Sequence, residues 1–162
     1  MRILFFSLCQ VSMLLGISVV AHAQGRQPVK WYFEAEKIST KEAVVTLTAE
    51  IEPGWHIYSP YMEEGGPMPT GFAFKTSDTY KLEGKIVEIG EPIEKFDNTF
   101  MIPVIWFEDK AIFTQRIRLA DESVVVEGSV EFMACMDDIC LLPEKKSFRV
   151  EIGNDLAKKK TN

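Results

Sequence analysis

Apolar and polar residues alternate with a period of two along most of the chain, and that pattern restricts it to strands. Trp31, Phe33 and Ala35 alternate with Lys30, Tyr32, Glu34 and Glu36, and Val45, Leu47, Ala49 and Ile51 alternate with Thr46, Thr48 and Glu50. Phe113, Ile117 and Leu119 alternate with Thr114, Arg116 and Arg118, with Gln115 a polar exception on the apolar side. Successive side chains of a strand point to opposite faces, so each run reads as a strand with one face in a core and one in water. Residues 102–107 are apolar on both parities, which predicts a central strand. Turn signals separate the runs: Pro53-Gly54, Gly65-Gly66-Pro67, Asp78, Gly84, Gly90-Glu91-Pro92, Asp97-Asn98 and Asp109-Lys110. No stretch carries the period of an amphipathic helix, and there is no internal repeat or low-complexity linker. Short strands at this spacing predict an all-β fold, an immunoglobulin-like antiparallel sandwich.

The first residues follow a different logic. Met1-Arg2 is a short positive start, residues 3–20 are mostly apolar, and Ala21-His22-Ala23 has the small-x-small form of a cleavage site before the chain turns polar at Gln24. Residues 1–23 are therefore expected to be a cleaved signal peptide. An uncleaved anchor is the alternative, since about 18 apolar residues nearly span a bilayer. A short extension over 24–28, one domain over 29–153 and a polar tail over 154–162 complete the expected organisation. The formal charge is −6, and losing Arg2 makes it more negative. An acidic chain of this kind lacks the electrostatic footprint of a nucleic-acid binder. Lys158-Lys159-Lys160 is the one basic cluster, and three lysines at a terminus read as a solvated tail.

The chain has three cysteines. Cys9 falls within the signal, so an exported protein has one possible bridge, Cys135–Cys140, in the run Phe132-Met133-Ala134-Cys135-Met136-Asp137-Asp138-Ile139-Cys140-Leu141-Leu142-Pro143. Export matters, because disulfides persist outside the cytosol. Val124, Val126, Val130, Phe132 and Ala134 share one parity; Val125, Glu127, Ser129, Glu131, Met133 and Cys135 share the other. If the alternation holds, Cys135 points away from the core, on the face that carries the glutamates. Phe148, Val150 and Ile152 alternate with Ser147, Arg149 and Glu151 in a final strand, so the pair is expected to be exposed at the tip between two strands.

A bridge across so few residues makes a weak staple. In the chain-entropy model a loop of about six residues gives about 2 kcal/mol, against nearer 5 for a loop of about 100. A short exposed bridge is easier to reduce and reoxidise. Asp137 and Asp138 inside the loop disfavour a thiolate, so the pair should be a slow nucleophile alone and react when a docked partner supplies the low-pKa thiol. A zinc site is incomplete, because only His56 remains once His22 leaves with the signal. Copper(I) is a softer alternative, with Cys135, Cys140, Met133 and Met136 close in sequence and Met62 and Met68 able to join. Scattered methionines more commonly serve packing. A third reading is a non-catalytic sandwich that binds a partner or glycan and carries a structural disulfide.

Four pieces of sequence are similar to a known family. They are Glu52-Pro53-Gly54-Trp55-His56-Ile57-Tyr58; Gly90-Glu91-Pro92 leading into Glu94-Lys95-Phe96-Asp97; Met101-Ile102-Pro103-Val104; and Cys135 to Cys140 followed by Pro143 and a closing strand. In this order they resemble the N-terminal periplasmic domain of the thiol:disulfide interchange protein DsbD, the disulfide bond corrector type of domain. The resemblance implies an immunoglobulin-like sandwich with a redox pair at one end, in the periplasm, without a cofactor or metal. It implies a thiol-disulfide interchange carrier that takes electrons from a membrane reductant through a thioredoxin-like donor; the family's usual transmembrane and C-terminal thioredoxin-like parts are missing from this sequence, so the reductant is expected on a separate chain. Delivery would be to thioredoxin-fold acceptors such as disulfide isomerases or cytochrome c maturation factors. By the same resemblance Cys140 forms the mixed disulfide and Cys135 resolves it, Phe96 matches the aromatic of a cap that shields the pair, and Tyr58 matches a tyrosine near the cysteines. His56 stands where better-known members have tyrosine. A lone histidine in an aromatic strand is more commonly packed and hydrogen-bonded than catalytic.

Overall fold

The computed structural model describes residues 26–153 apart from Thr99 and Asp138. The expected signal peptide with Cys9 and His22, and the expected polar tail over 154–162, lie outside the described residues. Twelve strands follow in order: β1 (Val29–Lys37), β2 (Glu42–Ile51), β3 (His56–Tyr58), β4 (Gly71–Phe74), β5 (Tyr80–Ile89), β6 (Ile93–Asp97), β7 (Ile102–Glu108), β8 (Lys110–Leu119), β9 (Val124–Phe132), β10 (Ala134–Met136), β11 (Ile139–Cys140) and β12 (Glu144–Ile152). They form three sheets, in the orders β1-β2-β8-β5, β12-β9-β4 and β11-β10-β3-β7-β6. Every pairing is antiparallel. This is the immunoglobulin-like, all-β sandwich that the alternation predicts.

One core joins the layers. Val45, Leu47 and Ala49 of β2 and Phe113 and Ile117 of β8 face Val126, Val130 and Phe132 of β9 and Phe148, Val150 and Ile152 of β12 within a single buried cluster. Aromatic rings fill its centre: Phe113 lies 4.9 Å from Phe72, 5.6 Å from Phe107 and 6.0 Å from Trp31, centroid to centroid. Gln115 points inward as its parity requires, and its Nε2 donates to the carbonyls of Glu83 at 3.0 Å and Arg116 at 2.8 Å. A buried amide is tolerated there because its donors are satisfied.

Gly128 sits at a close approach between β9 and its neighbours. A Cβ built there would lie 2.4 Å from the Ala73 carbonyl oxygen and 2.5 Å from Cζ of Phe148. Both neighbours are held, one by the β4–β9 ladder and the other by the core. Gly128→Ala should therefore destabilise the fold by about 1–3 kcal/mol, the usual cost of overpacking, read as a lower denaturant midpoint. An unchanged midpoint would mean that β4 moves aside freely.

The apolar double parity of residues 102–107 has a direct structural cause. Phe107 of β7 enters the main core. Val104, with Ile102 and Trp106 beside it, faces the opposite way into a second, smaller cluster that contains Tyr58, Cys135, Met62 and Met133. The five-stranded sheet is thus covered on both faces around β7, and the cysteine site is built on its outer face.

Candidate redox site

The chain that carries the cysteines changes sheets just before them. β9 pairs with β12 and β4 up to Phe132; Met133 interrupts the ladder, and β10 then pairs with β3. The alternation survives the switch: Phe132 and Ala134 remain in the main core, while Met133 and Cys135 face the smaller cluster. The register of β10 and β11 leaves two residues for the turn between Met136 and Ile139. The first of them, Asp137, takes φ 50°, a left-handed conformation that Asp tolerates better than most residues. Cys135 and Cys140 are direct cross-strand partners, with Cα atoms 4.1 Å apart, and they are joined by a disulfide. The Leu141 N–H donates to the Ala134 carbonyl at 2.9 Å and closes the hairpin.

The expectation that the bridge is exposed holds for one cysteine and fails for the other. Cys140 lies exposed on the two-residue edge strand β11. Cys135 has no exposed surface. Its parity is as expected, but the face it occupies is no longer the one with the glutamates exposed to water. Where β10 joins β3, Tyr58, Val104 and Met133 close over that face. The edge around Cys140 is apolar and open, with Ile139 64% and Leu142 86% exposed.

β3 brings His56 and Tyr58 to the same outer face. A tight turn places the strand: the Trp55 N–H donates to the Glu52 carbonyl at 3.0 Å, and Gly54 takes φ 82° at the position after Pro53. Proline followed by a residue of positive φ is the type II turn, and glycine fits that second position without strain. At the other end the Ser59 N–H donates to the Ile105 carbonyl at 2.9 Å, and Thr70 Oγ1 donates to the Tyr58 carbonyl at 2.6 Å. The register then aligns four residues in a row across four strands: Cys140, Cys135, His56 and Glu108. His56 Nε2 and the Tyr58 hydroxyl are 3.2 Å apart, with the rings edge to face at 5.1 Å. Trp106 lies 5.6 Å from His56, and its Nε1–H donates to Glu108 Oε1 at 2.9 Å.

Beside this row runs an open groove of about 630 Å³, lined among others by His56, Tyr58, Phe96, Trp106, Glu108 and Asp137. Phe96 stands one residue before the end of β6, lines the groove and is 52% exposed. Tyr58 is buried in the cluster with Cys135. Phe100, which the sequence does not single out, and Met101, which it marks only as the start of the piece over 101–104, lie in the turn between β6 and β7 and are both exposed. Their position past the strand end, with Met101 at φ 60°, depends on where the hairpin turns, and the sequence marks that only by Asp97-Asn98. Among the described residues no group of three or more His, Cys, Asp and Glu side chains is arranged to hold a metal ion.

Burial pushes the His56 imidazole pKa below its ordinary value, against the upward pull of Glu108 and Asp137. Burial, reinforced by Asp97, raises the Tyr58 hydroxyl above its ordinary value, so it stays protonated. The fold therefore favours neutral imidazole. The unfolded chain takes up a proton at about pH 6.5 and the folded chain only at lower pH. His56 thus costs stability as pH falls through about 6.5, and the loss levels off below the folded-state pKa. Denaturant midpoints should fall between pH 8 and pH 5.5, and fall less in His56→Phe; equal falls in the two proteins would contradict the assignment.

The fold and the site define a class before any comparison: an immunoglobulin-like sandwich with a cross-strand disulfide at one end, one sulfur-bearing residue buried and the other at an exposed edge. The sequence matches the family described as "Thiol:disulfide interchange protein DsbD, N-terminal" over residues 26–152, and the chain belongs to that family. The N-terminal periplasmic domain of ScsB from Proteus mirabilis is similar in fold, with TM-score 0.50 and 15% identity over 78% of this chain and 46% of that one. This chain therefore spans less than half the length of that relative. The DsbD N-terminal domain of Neisseria meningitidis, in its reduced form, gives TM-score 0.51 at 13% identity over 76% of this chain and 86% of that one. No curated protein sequence matches the chain. Family membership makes this a domain of the kind found at the N-terminus of the thiol:disulfide interchange protein DsbD.

Proposed function

We propose that the protein is a periplasmic electron carrier that works through reversible opening of the Cys135–Cys140 disulfide. It receives reducing equivalents from a thioredoxin-like donor fed by a membrane reductant. It passes them to thioredoxin-fold acceptors, among them disulfide isomerases or cytochrome c maturation factors. Residues 1–23 direct export and are removed.

The observation that carries this reading is the asymmetry of the pair, with Cys140 exposed on an edge strand and Cys135 fully buried. Exchange proceeds by in-line attack of a thiolate on one sulfur, so access decides which sulfur is attacked. A partner can reach Cys140 across the apolar edge of Ile139 and Leu142, while Cys135 leaves and returns within the cluster around Tyr58. Phe96 and Tyr58 are assigned to shield the pair from small thiols, Tyr58 from within the cluster of Cys135 and Phe96 from the groove that Tyr58 also lines. The bridge spans a sequence separation of 5, too short to stabilise the fold, by constraining the unfolded chain, by more than about 2 kcal/mol.

The test is reduction of the folded protein. Incubated with a reduced thioredoxin, the native disulfide should open, and alkylation followed by mass measurement should find the exposed Cys140 labelled while the circular dichroism stays that of the fold. Labelling only after denaturant is added would favour a structural bridge in a partner- or glycan-binding sandwich.

A further inference from the structure

The exchange cycle requires a proton to leave the Cys135 thiol, and Cys135 has no exposed surface through which water can take it. The reduced pair begins the cycle when Cys140, as thiolate, attacks one sulfur of an oxidised partner. The partner's bond breaks, its second sulfur leaves as thiolate, and a mixed disulfide to Cys140 forms. Cys135 must then lose its proton, attack Cys140 Sγ, re-form the intramolecular bond and release the partner's remaining sulfur as thiolate. Two electrons pass from the dithiol to the partner. A buried thiol resists this step, because burial disfavours the thiolate.

Resting on the interchange function above, we propose that His56 is the base that takes the Cys135 proton in the resolving step. Cys135 and His56 are direct register partners on neighbouring strands β10 and β3. Such partners have Cβ atoms about 4.5–5.5 Å apart on one face, within reach of a proton transfer directly or across one hydroxyl. The Tyr58 hydroxyl provides that hydroxyl: it lies 3.2 Å from His56 Nε2, and Tyr58 shares the cluster of Cys135. On the far side His56 is opposite Glu108 of β7, which is held by the Trp106 Nε1–H.

The charged and titratable groups around the imidazole suit a base that works in turns. Glu108 from β7 and Asp137 beyond β10 favour its cation, and Tyr58 shares its own strand. Lys95 and Asp97 of β6 line the same groove, across from it. Burial keeps the ring neutral at rest, so its lone pair is free to accept, and the two carboxylates stabilise the imidazolium that results. The proton then passes to the departing thiolate or to water in the groove.

A coloured aromatic disulfide, the dithiobis-nitrobenzoate reagent, separates the steps on the reduced folded protein. The first thiolate released reports attack by Cys140, and the second reports resolution by Cys135. His56→Phe keeps an aromatic ring on β3 and should leave the first release unchanged while slowing the second roughly 100-fold at pH 7. Its second release should rise about tenfold per pH unit towards the thiol's own pKa, whereas the parent protein's is nearly flat above pH 7. Added imidazole should recover part of the lost rate. A second variant, Glu108→Gln, retains an acceptor for Trp106 and should move the inflection of the second release to lower pH. An unchanged rate and pH profile for the second release in His56→Phe overturns the role of His56 and leaves the interchange function standing. Absence of any first release from the parent protein overturns the interchange function itself.

Discussion

Cys135→Ser should accumulate a stable mixed disulfide through Cys140, and Cys140→Ser should accumulate none. Mixed with a thioredoxin-fold protein whose second active-site cysteine is replaced by Ser and whose first is activated as a nitrothiobenzoate mixed disulfide, the first variant is expected to run on a non-reducing gel as a covalent pair that dithiothreitol dissolves. The second should stay as separate bands, and both should lose multiple-turnover exchange entirely. The reason is geometric. Cys140 sits on the two-residue edge strand, exposed beside Ile139 and Leu142, where a partner's backbone and sulfur can approach. Cys135 is enclosed with Tyr58, Val104 and Met133 and can meet only the sulfur opposite it in the hairpin. Removing the buried resolver leaves the mixed disulfide with no internal thiol to displace the partner. Removing the exposed cysteine leaves a thiol that no partner reaches. Each variant should also lose about 2 kcal/mol of stability or less, the small entropic share of a six-residue loop. Trapping by Cys140→Ser alone would reverse the two roles.

The largest loss of stability should come from the ring at the centre of the sandwich. Phe113 is fully buried and meets Trp31, Phe72 and Phe107, one from each of the three sheets or their facing edges. Phe113→Ala removes those contacts and leaves a cavity that strands on three sides cannot close, because their ladders fix their spacing. A loss of about 3–5 kcal/mol is expected. That is a large part of the roughly 5–15 kcal/mol that holds a domain of this kind together. The urea midpoint should fall by roughly 2 M, taking a slope of about 2 kcal/mol per M. The effect reaches the redox site through Phe107, whose neighbour Trp106 holds Glu108 beside His56. A loss under about 1 kcal/mol would show that the layers collapse onto the gap.

Much of the fold follows from side-chain parity alone. The alternation of Val45, Leu47 and Ala49, and of Phe148, Val150 and Ile152, needs only one buried face per strand, and these residues form the core. The same rule turned Cys135 away from the main core correctly. It failed on exposure because parity says which face a residue takes and not what else covers that face. The cover over Cys135 comes from Tyr58, Val104 and Met133, and the first two are distant in sequence. Only the double-apolar parity of residues 102–107 hinted that the outer face was occupied. The row of Cys140, Cys135, His56 and Glu108 is a matter of long-range register, which an alternating pattern leaves free by any shift of two residues. His56 looked like an isolated histidine in an aromatic strand for that reason. The switch of sheets at Met133 has no local signal either, since the alternation runs straight through it.

The reduction potential of the Cys135–Cys140 couple, measured on the folded protein by equilibration with glutathione or dithiothreitol buffers, tests the central claim most directly. A reversible carrier between thioredoxin-fold proteins should equilibrate within their range, about −270 to −120 mV, with the fold intact in both states. A potential well below about −300 mV, or reduction only after unfolding, would mark a structural bridge and contradict the account.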